Sequence, residues 1–227
     1  MRLLAQSGAP RQGTILVTGA RFPLPLRNAL AELTIAALDD AGAAAALAWL
    51  ADRSRRPDDG VAERLAAVHL IDAGEASLLR VHAPHGDAVA AHARRALRAA
   101  DAYRALHRPA APRPEAAVRQ AAALWAEHLF FEVHEVLEAV WKTASGDLRQ
   151  ALQGLIQIAV AFHHHAHENL RGARSLLAEG RARLAAVPPG TVVADTDALL
   201  AATAPIETAL QSGAPPEIEP PNLVIRS

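Results

Sequence analysis

The chain has 227 residues, 51% of them hydrophobic and 21% charged, with a formal net charge of −1. That is enough apolar sequence for one large or two small folded units, and it excludes a disordered chain. The near-neutral charge argues against nucleic acid and an anionic membrane as partners, and the absence of cysteine excludes disulfides, thiol nucleophiles and cysteine-ligated metal centres.

In chain order, TILVTG (Thr14–Gly19) reads as a strand, β-branched and closed by a glycine. LRNALAELTIAALDDAG (26–42) has apolar residues at helical spacing and is expected to stop at Gly42. AALAWLA around Trp49 fits either a strand or a helix, with the strand slightly favoured. The sequence from 67 to 84 suggests two strands around Ala73-Gly74-Glu75, pairing 66–72 with 76–82 as a hairpin. DAVAAHARRALRAADAYRALHR (87–108) is helical again. RPAAPRP, with three prolines in seven residues, cannot lie inside a helix or a central strand and marks a boundary. Beyond it helices are expected near 114–126, 130–143, 147–167, 169–186 and 194–211, with Ser145-Gly146-Asp147 supplying a break and an N-cap candidate for the third and Asn169 a cap candidate for the fourth. The tail from 213 is proline-rich and reads as extended.

The expected class is therefore α+β overall, a C-terminal all-α helical bundle preceded by a small N-terminal α+β unit. The divisions fall at 1–108 for the first unit, 109–113 for a Pro-rich linker, 114–212 for the bundle and 213–227 for the tail. The opening MRLLAQSGAPRQG is too short in apolar residues for a signal peptide. No stretch reaches the roughly 18 apolar residues of a membrane span. The expectation is a cytoplasmic protein without a membrane partner, and a homo-oligomer is compatible with it.

Two motifs in the first unit carry little. VTGA (Val17–Ala20) follows a strand, as a dinucleotide-binding turn does, but prolines stand where the further glycines of that turn belong. Arg94, Arg95, Arg98, Arg104 and Arg108 form a basic helix face with only Tyr103 as an aromatic neighbour, which reads as a solvated face rather than a nucleic-acid surface.

FEVHEVLEAVW (131–141) is richer, with Glu132, His134, Glu135 and Glu138 set in an apolar helix. His134 and Glu138 are four apart and share a face, with Trp141 continuing the stripe. HEVLE has the spacing by which one helix delivers two metal ligands, with the glutamate after the histidine placed for proton transfer. Thirty residues on, LQGLIQIAVAFHHHAHEN sets Gln153, Gln157 and His164 along one stripe at steps of four and seven, puts His163 on the apolar stripe of Leu152, Ile156 and Ala159, and places His167 four beyond His163 and three beyond His164. Such histidines can hold a transition metal, or can sit at a helix C-terminus where the dipole favours them.

These stretches, with ENLRGARSLL after them, resemble the domain-of-unknown-function 309 family over roughly residues 118–186. The matching positions are Glu132, His134, Glu135, Glu138, Trp141, Gln153, Gly154, His163 or His164, Asn169, Gly172 and Ala173. The resemblance implies a small all-helical bundle and no assigned activity. Two glycines of the family pattern are missing: the turn before the aromatic pair is Ala126-Glu127-His128-Leu129, and Glu168 precedes Asn169.

Three uses of the constellation compete. In the first, a metal-dependent hydrolase, His134, Glu138 and His163 or His164 hold a divalent ion (Zn, Mn or Fe), Glu135 moves the proton, and Glu132, Trp141, Gln153 and Asn169 support the cluster. In the second, the same cleft binds a small polar ligand without turnover. In the third, His134 and Glu138 form a buried hydrogen-bond clamp to Gln153, His163 or His164. The first and third both expect the His134 ring to point into the bundle and meet the 153–164 helix.

Overall fold

In a computed structural model the described residues are 21–72, 74–106, 113–192, 194–213 and 219–225. Among them the chain forms α1 (Leu24–Ala36), α2 (Ala41–Ala51), α3 (Asp59–Ala67), a small hairpin, a 3₁₀ turn (Ala83–His85) and α4 (Gly86–Ala105). It continues through α5 (Arg113–Ala126), α6 (Phe130–Trp141), α7 (Gly146–Ala166), α8 (Leu170–Ala185) and α9 (Thr196–Gln211). The expected strand at 14–19 and the VTGA turn lie outside the described residues, as does the expected linker except Arg113, which opens α5.

The helical bundle stands as expected, each boundary in the second half falling within two residues of its expected place. The first half is more helical than its sequence suggested. Gly42 does not stop a helix; it lies in the first turn of α2, where Asp40 caps by accepting the N–H groups of Gly42 and Ala43 at 2.6 and 3.1 Å. Trp49 is helical, not in a strand. An alanine-rich segment has too little polar contrast to show its period, yet Ala43, Ala46, Leu47 and Leu50 form a buried stripe at helical spacing. The hairpin is where it was expected but much shorter. β1 (Ile71–Asp72) pairs antiparallel with β2 (Ser77–Leu78), while residues 66–67 close α3.

One hydrophobic cluster runs through both halves, from Leu26 in α1 to Leu210 in α9 and Leu223 in the tail. α6 and α7 lie antiparallel. Phe130 meets Phe162 with ring centroids 5.4 Å apart, while at the other end Arg149 donates to the Trp141 carbonyl at 2.8 Å. α7 and α8 approach closely because of two glycines. A Cβ on Gly154 would stand 2.9 Å from the Gly180 carbonyl oxygen, and one on Gly180 would stand 2.7 Å from that of Gly154. Residues 219–225 pack back on the bundle, where the buried Trp125 indole donates to the Pro221 carbonyl at 2.6 Å.

The two glycines missing from the family pattern fall at backbone positions that favour glycine. His128 has φ 56° and Glu168 φ 61°, both left-handed. Asn169 caps α8 as expected, accepting from the Gly172 N–H at 3.0 Å. The N-cap of α7 is Ser145, within the expected Ser145-Gly146-Asp147 break, and it makes no side-chain bond.

Candidate functional site

α6 buries Phe130, Glu132, Val133, Val136, Leu137 and Val140. Its apolar residues choose the inward face, and that leaves His134, Glu138 and Trp141 half-buried on the shoulder. Trp141 does not draw His134 into the core. Its own ring is covered from outside by the Arg149 guanidinium, 3.9 Å from the centroid.

The shoulder brings three of the expected residues together. Ligand atoms of His134, Glu135 and Glu138 all lie within 4.8 Å of one another. His134 Nδ1 is 3.1 Å from Glu135 Oε1, so the bonding partner of His134 is its chain neighbour rather than a side chain of α7. Glu138 accepts from Lys142 at 3.0 Å, which holds its carboxyl below the usual range and keeps it ionised. His163 and His164 are not part of this set. His163 instead contacts the Phe131 ring at 6.0 Å and the His167 ring at 4.3 Å. Burial, followed by the charges of His167, Arg27, His164 and His134, lowers its pKa to about 4, so the ring is neutral. The His164 Nδ1 and the Asn169 side-chain amide are 3.0 Å apart. His164 thereby holds the residue that caps α8, a structural role. Gln153 is half-buried near Gly154 in α7.

The remaining carboxylate, Glu132, is in the core. Glu132 Oε1 lies 3.3 Å from His92 Nε2, which is also 3.2 Å from Thr34 Oγ1. Glu132 and His92 are 3% and 5% exposed, and Thr34 is fully buried. A charged pair here would need several kcal/mol of compensation. Burial pushes Glu132 up to about 7, and burial with Arg95 behind it pushes His92 down to about 3. Near neutrality the pair is therefore a hydrogen bond between a neutral imidazole and a carboxyl group about to lose its proton. It ties α1, α4 and α6 together. A polar clamp thus exists, but at Glu132 and across the two halves of the chain rather than between α6 and α7. Neither His92 nor Thr34 stood out in the sequence. The available signal was a histidine in the buried stripe Val89, His92, Ala93, Ala96 of α4.

A shallow cleft between α1 and α6 is lined by Asn28, Glu32, Ile35, Phe131 and Glu135. Glu135 therefore belongs both to the cleft and to the ligand set. The basic face of α4 is largely engaged within the molecule. Arg94 donates to the Ala51 carbonyl, Arg98 pairs with Glu127 and Arg104 pairs with Asp101. No helix of the described residues is long and apolar enough to cross a membrane.

Residues 118–176 match the family model described as a domain of unknown function (DUF309), the span of α5, α6, α7 and the start of α8. Over 50 residues the chain is 44% identical to the uncharacterized protein YpuF of Bacillus subtilis (strain 168), a match that covers 22% of this chain and 29% of that protein. The chain thus spans under a third of this relative's length. No solved structure matches the chain.

Proposed function

We propose that the protein is a helical-bundle module that holds a divalent metal ion on the shoulder of α6 through His134, Glu135 and Glu138. The observation that carries this reading is the convergence of three ligand atoms within 4.8 Å on one helix. Tetrahedral ligands about 2.1 Å from a shared ion stand about 3.4 Å apart. The set would therefore have to close by up to about 1.4 Å through side-chain rotation to hold one ion. One imidazole with two carboxylates suits Zn, Mn or Fe. Three protein ligands leave positions for water, whose pKa the ion lowers, and that is the chemistry of a metal-dependent hydrolase acting on a small molecule in the adjoining α1/α6 cleft. Glu135, first read as the proton carrier, takes a ligand position in this arrangement.

The test is calorimetric titration of EDTA-stripped protein with Zn²⁺ and Mn²⁺. One saturable site is expected, with a melting temperature that rises with metal concentration, and both effects should vanish in His134→Ala. No heat with either ion refutes the reading. A second reading, a non-catalytic scaffold, draws support from the buried Thr34–His92–Glu132 set, which accounts for one of the motif's glutamates without any ligand.

A further inference from the structure

A second group of polar side chains gathers where the start of α1, the first turn of α6 and the end of α7 meet. The Arg27 guanidinium lies over the Phe131 ring, 4.1 Å from its centroid. Arg27 makes no ion pair and no side-chain hydrogen bond among the described residues, and its Nε is buried without a partner. An unsatisfied buried N–H is costly, so an acceptor at this place is the expected arrangement. Across the same phenylalanine ring sits His163, whose ring nitrogens have no hydrogen bond among the described residues. The His167 ring lies beside it, tilted by 44°, with Nδ1 tied to the His163 carbonyl at 2.8 Å, which leaves Nε2 open.

After burial, the groups that lower the His163 pKa are His167, Arg27, His164 and His134. The neighbouring carboxylates Glu135 and Glu168 are paired with His134 at 3.1 Å and Arg21 at 3.6 Å. The carboxylate that feels Arg27 is Glu132, which lies in the core against His92 and which burial pushes up to about 7, leaving it about half protonated at neutral pH. The C-terminal carbonyls of α7 would oppose an anion, but they are occupied. Those of His164, His165 and His167 accept from Asn169, Glu168 and Arg21 respectively.

We propose that Arg27, His163 and His167 form a binding site for a phosphate-type oxyanion, with Phe131 as its floor. The guanidinium fork supplies two parallel donors and the His163 ring one; His167, whose Nδ1–H is given to the His163 carbonyl, offers Nε2 as a donor only in the imidazolium form that a bound anion favours. Such a set suits a tetrahedral group with acceptors on every side better than a flat carboxylate. The site does not rest on the metal reading, since no ligand of that set is needed for it.

The experiment uses the full chain in EDTA at pH 7, titrated calorimetrically with inorganic phosphate, methyl phosphate and acetate. Both phosphates should saturate one site. Arg27→Gln should weaken phosphate by about tenfold or more, the worth of one charge-assisted hydrogen bond. His163→Leu should weaken it severalfold, and Arg174→Gln on α8 should leave it unchanged. Arg27→Lys keeps the charge without the fork and should lose part of the affinity, so the site remains testable if Arg27→Gln does not fold. The proposal is overturned by the absence of saturation up to roughly 20 mM phosphate, well past a millimolar dissociation constant. It is equally overturned by acetate binding as tightly as phosphate, by unaltered affinity in the Arg27 and His163 variants, or by loss of binding in Arg174→Gln.

Discussion

Replacing Glu132 by glutamine tests the buried pair directly. The amide keeps the shape and a hydrogen bond to His92 but cannot ionise. In the native protein Glu132 titrates near 7, against 4.5 for an unperturbed glutamate. The folded state thus holds this proton more tightly than the unfolded state. The stability that comes from it is fully present below about pH 4.5 and is lost as the pH rises through about 7. Each factor of ten in proton affinity is about 1.4 kcal/mol. Between pH 5 and pH 9 the native protein should therefore lose about 2.5 kcal/mol that Glu132→Gln retains. His92 acts in the opposite sense, its contribution being lost as the pH falls from 6.5 towards 3. Across this window it is neutral in both folded proteins and cancels. The assay is urea unfolding followed by helical circular dichroism, for both proteins at both pH values. The quantity read is the difference between the two stability differences, so any fixed cost of the amide drops out. A change in favour of glutamine of less than about 1 kcal/mol on going to pH 9 would refute a carboxyl held protonated by burial.

Other perturbations follow from the same contacts. Gly154→Ala places a Cβ 2.8 Å from Leu184 Cγ and 2.9 Å from the Gly180 oxygen. Urea unfolding should show a loss of about 1–3 kcal/mol despite the helix propensity gained. Glu168→Gly relieves a left-handed residue at φ 61° and should raise stability by up to about 1 kcal/mol, seen as a higher melting temperature. Lys142→Met removes the ammonium 3.0 Å from Glu138. It should tighten Zn²⁺ at the α6 shoulder in the titration proposed above, and unaltered affinity would place Glu138 outside the site.

The sequence by itself determined the helices of the second half and several of their ends. Their apolar periodicity, the Asn169 cap and the proline-rich tail are local signals that act over a few residues. It also set Glu138 within reach of both His134 and Glu135, because helical spacing makes residues three and four apart neighbours, while the direct contact of His134 with Glu135 came from the folded structure. Tertiary structure decided which face of α6 turns inward. The apolar side chains outweighed Trp141 in that choice, and Glu132 went into the core while His134 stayed on the shoulder. It also decided the partner of Glu132, a histidine forty positions earlier in a helix of the other half. α2 shows the same limit, since uniform alanine hides the period until packing selects the stripe Ala43, Ala46, Leu47, Leu50. Periodicity states that a residue has a face, whereas the neighbour on that face is set by the packing of distant segments, whose energy no local pattern contains.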